Sequence, residues 1–178
     1  MNLSDRPADS LLRLFVRTLD ELQRRKLIRS GNNPVADYAE NVAARALRLT
    51  LAPNSRAGYD GTDAEGCRYQ IKARRVTSKN KSRQLSVIRN LEQRPFDRLV
   101  GIIFNAEFCV LRACIVPVET VQQLARHSRH QNGHLFFRKD RVWNEPGVDD
   151  VTVQIQGAAD DGCRDACGRW SSGDASQL

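Results

Sequence analysis

The sequence predicts a single α/β domain. Three observations carry this: apolar residues at helical spacing near the N-terminus and again over 33–49, two continuous apolar runs at 98–104 and 108–116, and a hairpin signature over 59–75. With 178 residues the chain is long enough to bury a real core. Its 40% hydrophobic and 28% charged content is that of an ordinary globular protein. No apolar run approaches the roughly 20 residues of a membrane span, so no membrane partner is expected. The opening residues, MNLSDRPADS, lack the basic start and apolar core of a secretion signal. The expected compartment is the cytoplasm. Residues 1–156 are expected to form the domain, as an N-terminal helix over 8–29 and a core over 33–156. The Gly-, Ser- and Asp-rich stretch 157–178 is expected to be a disordered tail.

In the first helix Leu12, Phe15, Leu19 and Leu22 form one apolar stripe, suited to packing or, as a lesser option, to a homodimer contact. Asp9 near its start and Arg24, Arg25 and Lys26 near its end complement the helix dipole. Asn33-Pro34 then supplies a cap and a first-turn proline. The second helix runs to about Leu49 with Val35, Tyr38, Val42, Ala46 and Leu49 facing inward. Asp37 and Glu40 share another face, and Glu40 either sits in solvent or leans over the hairpin that follows.

That hairpin, YDGTDAEGCRYQIKARR, is the stretch on which the chemistry turns. Ala64-Glu65-Gly66 reads as a three-residue loop with Gly at its left-handed position. Asp63 then faces Cys67, which sets Asp60 opposite Gln70. Gln70 and Lys72 share a face, and Asp60 projects onto it. A carboxylate, an amide oxygen and an ammonium in one neighbourhood suit a divalent cation beside a phosphate. A slip of one residue would send Asp60 to the other face.

Downstream, the basic stretch 76–83 is expected to order on binding phosphate. Leu85, Ile88 and Leu91 suggest a short helix, with a strand as the alternative. Residues 98–104 and 108–116 read as buried strands. Pro117 opens a helix, VETVQQLARHS, with Glu119 in its first turn and Arg126 and His127 in its last. A strand pair around Lys139-Asp140 and a closing strand over 151–155 complete the expected order.

The net charge of +7 is concentrated. Between Arg68 and Arg94 stand nine basic residues and one acid, Glu92, so this block carries +8 and the remainder of the chain −1. Such a block favours a polyanion, most simply nucleic-acid phosphates, although a solvated Lys- and Arg-rich loop has the same composition. Five cysteines and no secretion signal argue against a disulfide framework, and Cys109 and Cys114 lie in strand-like apolar stretches as small core residues. His127, His130 and His134 with Cys163 and Cys167 match no compact zinc pattern. Ser55 and Ser86 have no evident His and Asp partners for a hydrolase triad.

The motifs NPVADYAE, GYDG, YQIKARR and FDRLVGIIF, in that order, resemble the restriction-endonuclease-like superfamily, PD-(D/E)xK. More narrowly they resemble a bacterial family with an E…D…QxK site. The resemblance spans about Asn33 to Pro117 in its motifs and continues toward Ile155. It implies a mixed sheet flanked by helices and metal-dependent hydrolysis of phosphodiester bonds. It makes Asp60 the central ligand for Mg²⁺ or Mn²⁺, with Gln70 at the second acidic position and the main-chain carbonyl of Ile71 as a further ligand. Lys72 falls on the lysine position and Glu40 on the helix carboxylate. Tyr59 replaces the motif proline, a mild departure. Gln70 replaces a carboxylate and so contributes an oxygen without a charge. Arg74, Arg75, Lys79, Lys81 and Arg83 would then hold the nucleic-acid backbone. Aromatic residues are only 6% and offer no stacking surface for single strands, so double-stranded DNA is the expected substrate. Sequence recognition is expected from a partner protein. The readings carried forward are a DNA endonuclease, a catalytically degenerate nucleic-acid-binding protein of the same fold, and a module whose basic face meets an acidic protein.

Overall fold

The computed structural model describes residues 2–54, 57–136 and 140–159. Its elements in chain order are α1 (Ala8–Arg24), α2 (Pro34–Leu47), β1 (Thr50–Leu51), β2 (Gly61–Thr62), β3 (Arg68–Arg75), β4 (Arg98–Phe104), β5 (Val110–Pro117), α3 (Val118–Leu124), β6 (Arg126–Ser128), β7 (Gly133–Leu135), β8 (Asp149–Asp150) and α4 (Thr152–Ala158). Six strands form one mixed sheet in the order β1-β2-β3-β4-β5-β8, and β6 pairs with β7 in a separate ribbon. Within the large sheet β3 and β4 run parallel and the other neighbours antiparallel. The α/β class therefore holds, with a mixed sheet. No described helix is long and apolar enough to cross a membrane.

Side-chain alternation along the central strands divides the core into two layers. Tyr69, Ile71, Val100, Ile102, Phe104, Ala113 and Ile115 face α2 and α4, where Ala39, Val42, Ala43 and Ile155 meet them. Leu99, Ile103, Cys114 and Val116 face the other way, against Leu85, Ile88, Leu91, Phe96, Phe136 and α3. Strands covered on both sides need near-continuous apolar sequence, which is why RLVGIIF and the run through Cys114 contain so few polar residues. Cys109 and Cys114 are both buried.

The hairpin register matches the expectation. Gly61 pairs with Tyr69 and Thr62 with Arg68, and the same register sets Asp60 opposite Gln70. Gly66 adopts a φ of +82°, the conformation the loop requires. The Asp63 carboxylate closes the turn by accepting from the Glu65 and Cys67 amides at 3.1 and 2.9 Å and from the Tyr69 hydroxyl at 3.1 Å. Asn33 caps α2 as expected, its side chain accepting from the Val35 amide at 3.1 Å.

Several elements differ from expectation. The first helix ends at Arg24 rather than 29, because Lys26 turns left-handed at a φ of 59°. Its stripe is mostly uncovered: Leu19 is buried, but Leu12 and Phe15 are 65% and 56% exposed. The second helix stops at Leu47, with Arg48 left-handed after it. Residues 76–83 contain a closed turn, in which Thr77 and Asn80 exchange main-chain hydrogen bonds. The segment around Leu85 and Ile88 is extended, not helical, because its amides find partners in the ribbon: Leu85 donates to Phe136, and Ile88 and His134 bond each other reciprocally. Only Leu91–Gln93 coils, as a 3₁₀ turn.

The third helix ends at Leu124, so Arg126 and His127 lie in β6 and not in a last helical turn. The strand pair expected around Lys139-Asp140 falls partly outside the described residues, and Asp140–Asn144 is a 3₁₀ turn. Residues 151–155 begin a helix instead of a closing strand. Val151 and Ile155, four apart, are buried while Val153 between them is 82% exposed. The Asp150 carboxylate accepts from the Thr152 amide at 2.9 Å and starts the turn. Ala159 still packs in the core, so the ordered domain outruns 156, and 160–178, with Cys163 and Cys167, lie outside the described residues.

Gly133 marks where the ribbon meets the extended segment: a β-carbon there would stand 2.5 Å from a Val87 methyl and 2.8 Å from the Ile88 carbonyl. Gly133→Ala should therefore destabilise by about 1–3 kcal/mol, lowering Tm by roughly 3–10 °C. Gly31→Ala, which meets nothing within 4 Å, should leave Tm within about 2 °C in the same melting experiment.

Candidate active site

Strand β2 is only two residues long, so beyond Tyr69 the outer edge of β3 has no strand beside it. Asp60 fills the gap. Its main-chain amide donates to the Tyr69 carbonyl at 2.8 Å, which fixes the residue where the hairpin opens. Its Oδ2 accepts from the Ile71 amide at 2.6 Å and from the Gln70 side-chain amide. Among the described residues nothing bonds to Oδ1. Because the N–H of Ile71 points at Asp60, strand geometry sends the Ile71 carbonyl to the same uncovered edge. Gln70 is buried, at 9% exposure, and lies on the face opposite α2, beside Leu99.

Lys72 follows on the Gln70 face. Its neighbour across the parallel pair is Gly101, which presents no side chain, and its ammonium makes no ion pair or hydrogen bond with any described residue. Arg74 comes next on that face, and its Nε is buried without a partner among the described residues. Two cationic side chains with unspent donors thus stand in a row beyond the Asp60–Gln70 contact.

Of the two places expected for Glu40, the structure gives the one near the hairpin, where the Asp60 charge reaches it, but the carboxylate is already engaged. It does not point to solvent, having 14% side-chain exposure, and it forms an ion pair with Arg29. Asp37, one turn earlier on α2, accepts from the main-chain amides of Arg29 and Ser30 at 2.8 and 2.6 Å. The two carboxylates therefore share a face and divide the work: Asp37 anchors the Arg29 backbone, Glu40 its guanidinium. Arg29 also donates to the Ala52 carbonyl at 2.8 Å, and the Ala52 amide donates to the Asp60 carbonyl at 2.9 Å. Burial and the nearby Asp60 charge push the Glu40 carboxyl above its usual range, against the pull of Arg29.

The basic block is less free than its composition suggests. Arg68 makes a two-pronged contact with Asp97, at 3.1 and 2.8 Å, which holds the Asp97 carboxyl below its ordinary range. Arg94 pairs with Glu119. Arg75 points to the α2 face, where it donates to the Ala106 carbonyl at 3.0 Å and lies 4.8 Å from the Phe108 ring centre. It therefore stands on the other face of β3 from Lys72 and Arg74. Lys79 and Lys81 are exposed, and Arg83 is half-buried.

The structure thus joins Asp60, Gln70 and Ile71, sets Lys72 and Arg74 beyond them on one face, and brings Glu40 near only in company with Arg29. Sequence reasoning missed Arg29, which stands out in no motif. The available donors are hard oxygens, the class that suits Mg²⁺ or Mn²⁺. Asp60 Oδ1 and the edge-directed Ile71 carbonyl fit such an ion. Among the described residues no three His, Cys, Asp or Glu side chains cluster as a metal site. Compared with protein-family models and with curated proteins, the chain matches none.

Arg29 is what makes an ionised Glu40 tolerable. A carboxyl that titrates higher folded than unfolded costs stability as pH rises from the ordinary carboxylate range through its folded value. Arg29→Ala removes the groups that pull Glu40 down, so it should cost up to about 3 kcal/mol at neutral pH and less near pH 4. Adding Glu40→Gln should recover most of that loss. Urea unfolding at the two pH values checks this; an equal loss at both, or no recovery, would contradict it.

Proposed function

We propose that this chain is a metal-dependent nuclease of restriction-endonuclease-like fold that hydrolyses phosphodiester bonds, with double-stranded DNA as substrate. One observation carries the reading. The Asp60 carboxylate is fixed at the open edge of β3 with Oδ1 unengaged, while Lys72 stands on the adjoining face, both without a partner there among the described residues. A hard divalent cation would be held by Asp60, the Ile71 carbonyl, the Gln70 amide oxygen and, if Arg29 releases it, Glu40. Such an ion supplies Lewis-acid polarisation of a phosphoryl oxygen and a more acidic bound water.

The chain's own residues account for the rest. Gln70 now donates to Asp60, so its amide must turn to present oxygen instead. Lys72 is placed to orient the attacking water or to balance charge growing on the phosphoryl oxygens. Arg74, Lys79 and Lys81 supply cations for flanking phosphates, with little sequence information in those contacts. Target choice would then depend on a partner protein.

A second reading has its own support. With Glu40 tied to Arg29 and Gln70 uncharged, Asp60 is, of the two candidate ligand carboxylates, the one not paired with a cation among the described residues, which suits a protein that binds DNA without cutting it.

Supercoiled plasmid with Mg²⁺ or Mn²⁺, with a gel shift on the same DNA, separates the two. The nuclease reading expects nicking that falls at least about 100-fold in Asp60→Ala and in Lys72→Ala. Binding that weakens steeply with salt is expected in either case. Salt-sensitive binding with no nicking favours the non-cutting reading, and neither binding nor nicking removes both.

A further inference from the structure

Among the described residues the exposed large apolar side chains are Leu3, Leu12, Phe15, Val16 and Val153, so all but Val153 lie at or just before α1. Leu12, Phe15 and Val16, at 65%, 56% and 53% exposure, stand three and four residues apart and form one stripe on that helix. Single exposed apolar residues are ordinary, but a clustered stripe marks an interaction surface. The helix has little else to hold it. None of its side chains belongs to either layer of the core, and Leu19 is its one buried residue. A helix of 17 residues with so little packing is marginal in water, and a partner over the stripe supplies what is missing.

Charge indicates which partner. Along α1 stand three acids, Asp9, Asp20 and Glu21, and three bases, Arg13, Arg17 and Arg24. That balance suits neither an anionic lipid surface nor a nucleic acid, which both favour a basic excess. Residues 160–178 bring Trp170 and Leu178 but no apolar repeat that could cover the stripe. The pattern is instead complementary to itself. Asp9, Arg13, Asp20 and Arg24, spaced four, seven and four residues apart, follow one edge of the stripe. All four are exposed, and Asp20 has no partner among the described residues.

We infer that α1 is the interface of a two-fold symmetric dimer of this chain, in which two α1 helices pack antiparallel through their apolar stripes. With the axis near Val16, the same edge of both helices lies on the same side. Asp9 then falls opposite Arg24 of the second copy, and Arg13 opposite its Asp20. Phe15 and Val16 of both copies meet at the centre. The antiparallel direction also sets each helix N-terminus beside the other's C-terminus, where the dipoles attract. This inference is independent of what the Asp60 site does.

The test is sedimentation velocity of the full chain in EDTA at low salt, over about 1–100 µM. Wild type should pass from monomer to dimer across that range. Leu12→Glu and Phe15→Glu alter exposed positions and leave the fold intact. Each should weaken the dimer at least about tenfold, since each change occurs twice in the interface. Arg13→Glu and Asp20→Arg set like charges opposite one another and should each weaken it about three- to tenfold. The combined Arg13→Glu/Asp20→Arg variant should return to near the wild-type dissociation constant. Far-UV circular dichroism identifies the variants that stay folded, and recovery in the double variant decides even where one single variant does not fold. Monomer at every concentration overturns the inference. A dimer indifferent to the Leu12 and Phe15 changes joins elsewhere and overturns it too. Weakening by both single reversals without recovery in the double variant overturns the antiparallel pairing. A monomer that pellets with anionic vesicles gives the stripe to a lipid surface and likewise overturns it.

Discussion

The structure around the site depends on the grip of the Asp60 carboxylate on the exposed edge of β3. Strand β2 runs out after two residues, and the next outward-facing amide, that of Ile71, would otherwise have no strand partner. A main-chain donor left unpaired in a mostly buried strand is costly. A side-chain oxygen takes the place of a missing strand, and the same oxygen draws in the Gln70 amide. This arrangement lets the hairpin open without disrupting β3, whose other edge pairs along its length with β4 from Tyr69 to Arg75. It also leaves the Ile71 carbonyl directed at the gap, so a demand of the fold creates a cluster of oxygens.

The second constraint is charge. Glu40 and Asp60 are close enough for each negative charge to be felt by the other, in surroundings that hydrate neither fully. The chain balances this with Arg29, a cation delivered from the connection between α1 and α2 and braced by Asp37. A cation at the Asp60 edge would lessen the need for that balance. A metal there would be an alternative to Arg29 as the answer to the same excess of negative charge, and Gln70, carrying none, keeps that excess small.

Much of this was legible in the sequence because it follows short-range rules. Gly66 fixes the hairpin loop, the loop fixes the register, and the register sets Asp60 against Gln70. Asn33-Pro34 likewise marks the start of α2. What escaped notice depends on contacts distant in sequence. The spacing of Leu85, Ile88 and Leu91 fits a helix equally well, and only the ribbon near His134 decides for an extended chain. Residues 151–155 alternate in a strand-like way, yet Asp150 and the packing of Ile155 against the sheet make them helical. Arg29 had no signal, since its role comes from meeting Asp37 and Glu40 after the chain has turned. The basic block was visible as composition, but the ties of Arg68, Arg75 and Arg94 were not.

The most direct measurement of whether the Asp60 edge is a metal site is the melting temperature of wild type, Gln70→Glu and Asp60→Ala in EDTA and in Mn²⁺. Replacing the Gln70 amide by a carboxylate sets two anions against each other where a donor now meets an acceptor. The account predicts that Gln70→Glu melts below wild type in EDTA, that Mn²⁺ raises it by more than it raises wild type, and that Asp60→Ala gains nothing from Mn²⁺. Indifference of all three proteins to Mn²⁺, or an equal rise in all three, would contradict it.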